Sequence, residues 1–289
     1  MWHRHPADYI AAGQVADSLR RDSDDRAFRV ASRALAINPT HWQLHLTVAR
    51  MLLQTPRPSQ AIGEYRQAIE HAEFAKVGPI VRELVTRFPD PRIAIRGLPS
   101  TERKFGIIAV SLRAVPAHAI GRAYFQAMVI EFPTNARAFD ELARFSFNRR
   151  AWAEAASAAV DAVELGRRQA ASLAGQAMIR AGDAETAVSF LTSLRSDATK
   201  PRPTKAVATR ELTVLARAHE AAGQPELAVE PLERLLDLVG RDNPEARPHL
   251  LYLAEIQDKI GHIHQAAENR AAAQQHGGRQ LNDSAGPDN

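Results

Sequence analysis

The amino-acid sequence predicts an all-α fold made of antiparallel helix pairs repeated along the chain. Three observations predict it. Residues 136–166 hold two helical patterns back to back, with Phe139, Leu142 and Ala143 on one face of the first and Trp152, Ala155, Ala159 and Ala162 on the second. The pattern recurs: Phe105, Ile108, Ala109 and Leu112 stand 34 residues before Phe139, Leu142, Ala143 and Ser146, and Gly121, Phe125 and Met128 stand 34 before Ala155, Ala159 and Ala162. Small residues keep fixed slots in these copies, as two helices need if their backbones are to approach closely.

More copies flank these. Ala27, Ala31 and Ala34 return 34 residues later as Ala61, Tyr65 and Ala68, and Pro39 closes the earlier set. Downstream copies run through Gly175, Met178, Gly182 and Ala187, then Leu212, Leu215, Ala216, Gly223 and Ala228, then Leu250, Leu253, Ala254, Gly261 and Ala266. Two later intervals are longer, 41 residues from Ala187 to Ala228 and 38 from Ala228 to Ala266. An aromatic, two spacers, Leu and a small residue, followed by Ala-x3-small on the next helix, resembles the tetratricopeptide repeat family, whose period is the same. The resemblance covers about nine tenths of the chain and implies a right-handed superhelical solenoid of about seven to eight repeats, one degenerate. It is specific for architecture and nearly silent on function.

In chain order, residues 1–7 read as a leader and 8–20 as the first helix. Charged residues 21–25 turn the chain into a second helix that stops at Asn38 and Pro39. A helix over 42–54 is broken by the prolines of 55–59, which cannot continue it, and Ser59 is the expected N-cap of the next. Residues 75–101 fit worst: Val81, Leu84, Val85 and Phe88 give one amphipathic helix, then Pro89, Pro91 and Pro99 bracket a short apolar run. This is the degenerate repeat inside an array spanning 8–195. Residues 196–208 read as a linker loop, 209–276 as C-terminal repeats, and 277–289 as a disordered tail that starts where Gly277 and Gly278 stop the last helix. In that last helix, Glu268, Asn269 and Arg270 replace apolar residues, as suits a solvated terminal face.

Composition narrows the function classes. With 45% apolar residues the chain can build a sizeable core. The absence of Cys excludes disulfides and thiol chemistry and agrees with a cytoplasmic location. The net charge is +4 and Lys is scarce, so Arg, whose planar fork suits carboxylate and phosphate partners, supplies nearly all the positive charge. No P-loop, G-x-G-x-x-G, G-x-S-x-G or H-E-x-x-H occurs. His41 and His45 have metal-ligand spacing but no acidic third ligand nearby, and Glu141 and Glu154 read as solvated. No enzyme, cofactor or metal is therefore expected.

The resemblance implies that the first helix of each pair lines a concave groove. The inward positions it assigns are Arg50, Val110, Arg144, Gln176, Arg217 and Glu255, together with Arg103, Arg137, Gln169 and Arg210; six of these ten are Arg. The family's carboxylate-binding pattern uses Lys and Asn at such sites, so that peptide-terminus activity does not carry over. The expected function is a scaffold or adaptor holding a peptide or partner protein, acidic in character, in an Arg-lined groove. An accessory subunit of a cell-envelope or polysaccharide-assembly machine and a nucleic-acid-binding solenoid are the alternatives. The shortage of Lys and of exposed aromatics counts against the last.

Overall fold

The computed structural model describes residues 8–21, 26–55, 57–197, 199 and 202–283. The expected leader, 1–7, and the last part of the expected tail, 284–289, lie outside the described residues. The described secondary structure is all helix, and the chain divides into two compact units, 1–133 and 134–289.

The first unit holds α1 (Asp8–Arg21), α2 (Arg26–Ile37), α3 (Trp42–Leu52), α4 (Pro58–His71), α5 (Phe74–Arg87), α6 (Pro91–Ala94), α7 (Glu102–Ala114) and α8 (His118–Glu131). The pairs α1/α2, α3/α4 and α7/α8 form as the periodicity predicts. Ala27, Ala31, Ala34, Ala61, Tyr65 and Ala68, the residues that carried the period, are all buried. The degenerate repeat is a full first helix, α5, followed by the four-residue α6 and a 3-10 turn over Ile95–Gly97. That stub packs on α4 and α8, so it fills the slot of a second helix while occupying fewer residues. Gly97 makes this possible: a Cβ there would come within 2.9 Å of Leu84 Cδ1 and 3.3 Å of Ile62 Cγ2. Ser59 does not cap α4. The helix begins one residue earlier at Pro58, whose fixed φ suits a first helical position.

The second unit holds α9 (Ala136–Asn148), α10 (Trp152–Glu164), α11 (Ala171–Ala181), α12 (Ala184–Ser196), α13 (Lys205–Ala221), α14 (Pro225–Val239), α15 (Arg247–Lys259) and α16 (Ile263–Asp283), in four consecutive pairs. The first helix of every pair ends in the same turn. Arg150, Gly182, Gly223 and Gly261 have φ of 59°, 85°, 73° and 82°. The residue after each closes a hydrogen bond to the carbonyl five residues back: Ala151 to Ser146, Asp183 to Met178, Gln224 to His219 and His262 to Gln257, at 2.8–2.9 Å. This is a left-handed helix C-cap, which glycine enters without steric cost and Arg150 does not.

Gly175, on α11, marks a close approach. A Cβ there would lie 2.8 Å from Val214 Cγ1 and 2.9 Å from Leu191 Cδ1. The division of the chain falls at Pro133 and not at 196–208. Both α11 and α12 pack on α13 across that stretch, and Ala218 of α13 shares a core with Ala155, Ala177 and Ala187. Residues 198, 200 and 201 of the expected linker lie outside the described residues. Two expectations at the end of the chain are corrected. α16 does not stop at Gly277 and Gly278 but continues to Asp283. Asn269 is buried, donating to Gln257 Oε1 at 2.8 Å, so a hydrogen bond replaces the apolar contact that the sequence lacks there.

Candidate partner-binding surface

The first helices α9, α11 and α13 pack in succession in the second unit, and α5 packs on α7 in the first. The assigned groove residues fall on the first helices α3, α7, α9, α11, α13 and α15 or at their starts, but their chemistry differs from one to the next.

Four belong to the fold's own polar network or sit half-buried beside it. Arg50, on α3, forms a two-pronged pair with Glu83 of α5, Nε to Oε1 at 2.9 Å and Nη2 to Oε2 at 2.6 Å. Tyr65 donates its hydroxyl to the same carboxylate at 2.8 Å. The hydrogen bond from Arg50 is the main cause that holds the Glu83 carboxyl below its ordinary pKa, against the effect of burial. Arg144 donates Nε to Asp140 Oδ1 at 3.1 Å, one turn back on α9, and Asp140 has no solvent exposure. Gln169, turned so that its amide oxygen faces Arg167, accepts from Nη2 at 2.8 Å. Gln176 is half-buried on α11.

The other four differ. Arg103 on α7, Arg137 on α9, and Arg210 and Arg217 on α13 are exposed. No side-chain hydrogen bond or ion pair joins any of them to another described residue. The expected arginine stripe therefore contains two kinds of arginine: those neutralised inside the fold and those left to solvent.

The two further assigned positions agree with this mixture. Val110 is half exposed, and Glu255 pairs with Lys259 at 2.8 Å. Lys259 also pairs with Glu220, which accepts the Tyr252 hydroxyl at 2.7 Å. The surface beside Arg217 is thus charged in both signs.

Sequence reasoning missed the acids. Asp140 and Glu211 are both fully buried, and their partners Arg167 and Arg168 were not singled out. The signal was present for Glu211: Leu215 and Ala218 stand four and seven residues on, which puts the carboxylate on the apolar stripe of α13. Glu141, expected to be solvated, is buried, because it too lies on the inward side of α9 beside Leu142 and Ala143.

His41 and His45 do not share a ligand. His41 caps α3, accepting from the Leu44 N–H, while the buried His45 faces Glu64 Oε2 at 2.6 Å and the Pro39 carbonyl at 2.7 Å with its two ring nitrogens. Among the described residues no group of three His, Asp or Glu is placed to hold a metal ion, and no helix is long and apolar enough to cross a membrane.

On the first-helix side of the first unit, Arg50 stands between two pockets. One, of about 420 Å³, is lined by Gln14, Asp17, Trp42 and Thr47; the other, of about 450 Å³, by Gln54, Glu83 and Arg87.

No protein-family model matches the chain, and no curated protein matches it. Among solved structures it is similar to the MamA RS-1 ArsTM double mutant, with 14% identity over 72% of this chain and 97% of that one and a TM-score of 0.45. It is similar to MamA 41-end from Desulfovibrio magneticus RS-1, with 15% identity over 75% of this chain and 99% of that one and a TM-score of 0.44. A third likeness is to the structure of Naa15/Naa10 bound to HypK-THB, with 16% identity, 90% of this chain, 35% of that one and a TM-score of 0.46. The all-α assignment rests on the helix pairs themselves.

Proposed function

We propose that this chain is a non-enzymatic scaffold or adaptor that holds a peptide segment or partner protein against its first helices. Arg137, Arg210 and Arg217 of the second unit then supply hydrogen bonds to acidic groups of that partner, and Arg103 is the equivalent exposed arginine of the first unit. One observation carries the reading. The fold pairs Arg50, Arg144, Arg167 and Arg168 with buried or half-buried carboxylates, yet among the described residues no carboxylate forms an ion pair with any of these four. A guanidinium with an unused fork is a strong directional donor to a carboxylate. Exposed and without an ion pair among the described residues, these four guanidiniums are open to a partner's carboxylates.

The test is capture of partners by the intact protein and by the Arg137→Glu/Arg217→Glu variant, with circular dichroism as the folding control. Arg144 is unsuitable for this variant, because Glu at 144 would set a like charge against the buried Asp140. Binding should weaken by roughly 2–5 kcal/mol if each arginine makes a desolvated pair, and far less at a rim. A folded double variant that keeps its partner would remove the reading.

A further inference from the structure

The second unit also carries a pocket of about 440 Å³, where the turn after α10 meets the chain leading into α13. Arg167, Arg168 and Gln169 line it from one side, and Arg202 and Thr204 from the other. No acidic residue is among those lining it. Its size falls in the range of small-ligand sites, which bind by a few convergent polar groups.

Two of the three guanidiniums are fixed from behind. Arg167 donates Nε to Asp140 Oδ2 at 2.6 Å, and Arg168 donates Nε and Nη2 to the two oxygens of Glu211. Both carboxylates are fully buried, so each sets the plane of its arginine without itself reaching the pocket. Preorganised donors bind with less ordering cost than mobile ones. Arg202 is exposed and makes no side-chain hydrogen bond or ion pair with another described residue. Arg144, Arg167 and Arg168 share the two carboxylates, and Arg202 adds a further positive charge to the pocket wall. The Gln169 amide oxygen, 2.8 Å from Arg167 Nη2, already occupies a place where an anion's oxygen would sit. Gln169 is exposed and neutral, so a charged oxygen can displace it.

We propose that this pocket is an oxyanion site that takes a phosphate or carboxylate group presented by a ligand. It stands on residues other than the four exposed groove arginines, so it holds or fails separately from the adaptor reading.

The experiment is calorimetric titration of the intact protein with inorganic phosphate and, separately, with glutarate. It is repeated with Arg202→Ala and with Arg180→Ala, the latter an exposed arginine of the same unit outside the pocket and outside the proposed partner-binding set. Neither side chain pairs with another described residue, so both variants should keep the parent circular dichroism spectrum. Saturable binding is expected, weakened about tenfold or more in Arg202→Ala and unchanged in Arg180→Ala, as the loss of one charge-assisted contact would give. Binding of phosphate alone assigns the site to phosphate esters, and binding of glutarate alone assigns it to carboxylates. Absence of saturable binding by either anion would overturn the proposal. So would an equal loss in both variants, which would show only a general charge effect.

Discussion

Arg168 holds Glu211 by two parallel hydrogen bonds, Nε to Oε1 at 3.0 Å and Nη2 to Oε2 at 3.1 Å, across 43 residues of sequence. The carboxylate has no solvent exposure and the guanidinium little, 0% and 14% of their side-chain surfaces. A charge this far from water is tolerated only while its partner is present. Arg168→Ala should therefore destabilise the protein by about 3–5 kcal/mol in urea unfolding, since it strands the buried Glu211. Arg144→Ala should cost about 1 kcal/mol or less, because Asp140 keeps Arg167. Equal losses in the two variants would contradict this division.

Close helix contacts give a second prediction. Gly175→Leu and Ala143→Leu should each cost roughly 1–3 kcal/mol, the usual effect of overfilling a packed contact. Gly175 leaves no room for even a Cβ beside Val214 and Leu191, and Ala143 is fully buried. An unchanged melting curve for both would refute the assignment of these slots.

Arg150 sits with φ of 59° in a turn where its three counterparts are glycines. Left-handed backbone costs a non-glycine residue about 1–2 kcal/mol, part of which glycine loses again to its freer unfolded chain. Arg150→Gly should raise stability by roughly 0.5–1 kcal/mol, and Gly182→Ala should lower it by a similar amount. A lower melting temperature for Arg150→Gly would show that its side chain contributes more than the strain removes.

The His45 pair makes stability depend on pH. Burial disfavours the imidazolium, but the Glu64 hydrogen bond, the Pro39 carbonyl and the Glu64 charge together raise the His45 pKa above its ordinary 6.5. Both ring nitrogens face acceptors, an arrangement that only the doubly protonated ring can satisfy. His71 stacks on the ring at 6.0 Å, and the pKa of His41 is lowered by burial and then by the charge on His45. A folded-state pKa above the unfolded one stabilises fully below pH 6.5, and the gain disappears as pH rises through the folded value. The stability difference between the parent and His45→Gln should therefore be largest near pH 5.5 and shrink toward pH 8. A difference that grows with pH would reverse the assignment.

Helix pairs were legible because their signal is local. Ala155, Ala159 and Ala162 recur at helical spacing and are each fully buried, and Gly175 and Gly182 do the two jobs, packing and turning, that their slots imply. The charges were legible only in part. Arg144 and Arg217 occupy the same slot in their repeats, but Asp140 precedes the first by four residues where Thr213 precedes the second. That difference can be read from sequence, since four residues is one helical turn. The partner of Arg50 cannot, because Glu83 reaches it from a different helix 33 residues on. Such a pairing is fixed by how neighbouring repeats stack, which no single-helix pattern encodes.

The identical turns inside the four pairs of the second unit contrast with the connections between pairs. Leu165, Gly166 and Arg167 alone link α10 to the 3-10 turn that opens the next pair, whereas residues 197–204 intervene between α12 and α13. Length variation is thus confined to one class of junction, and each hairpin keeps its own fixed hinge. In engineering terms the hairpin is an interchangeable cassette. Grafts cut within the between-pair connections carry both the hinge and the buried face intact, while grafts cut at Arg150, Gly182, Gly223 or Gly261 split a hydrogen-bonded cap and strand half a core.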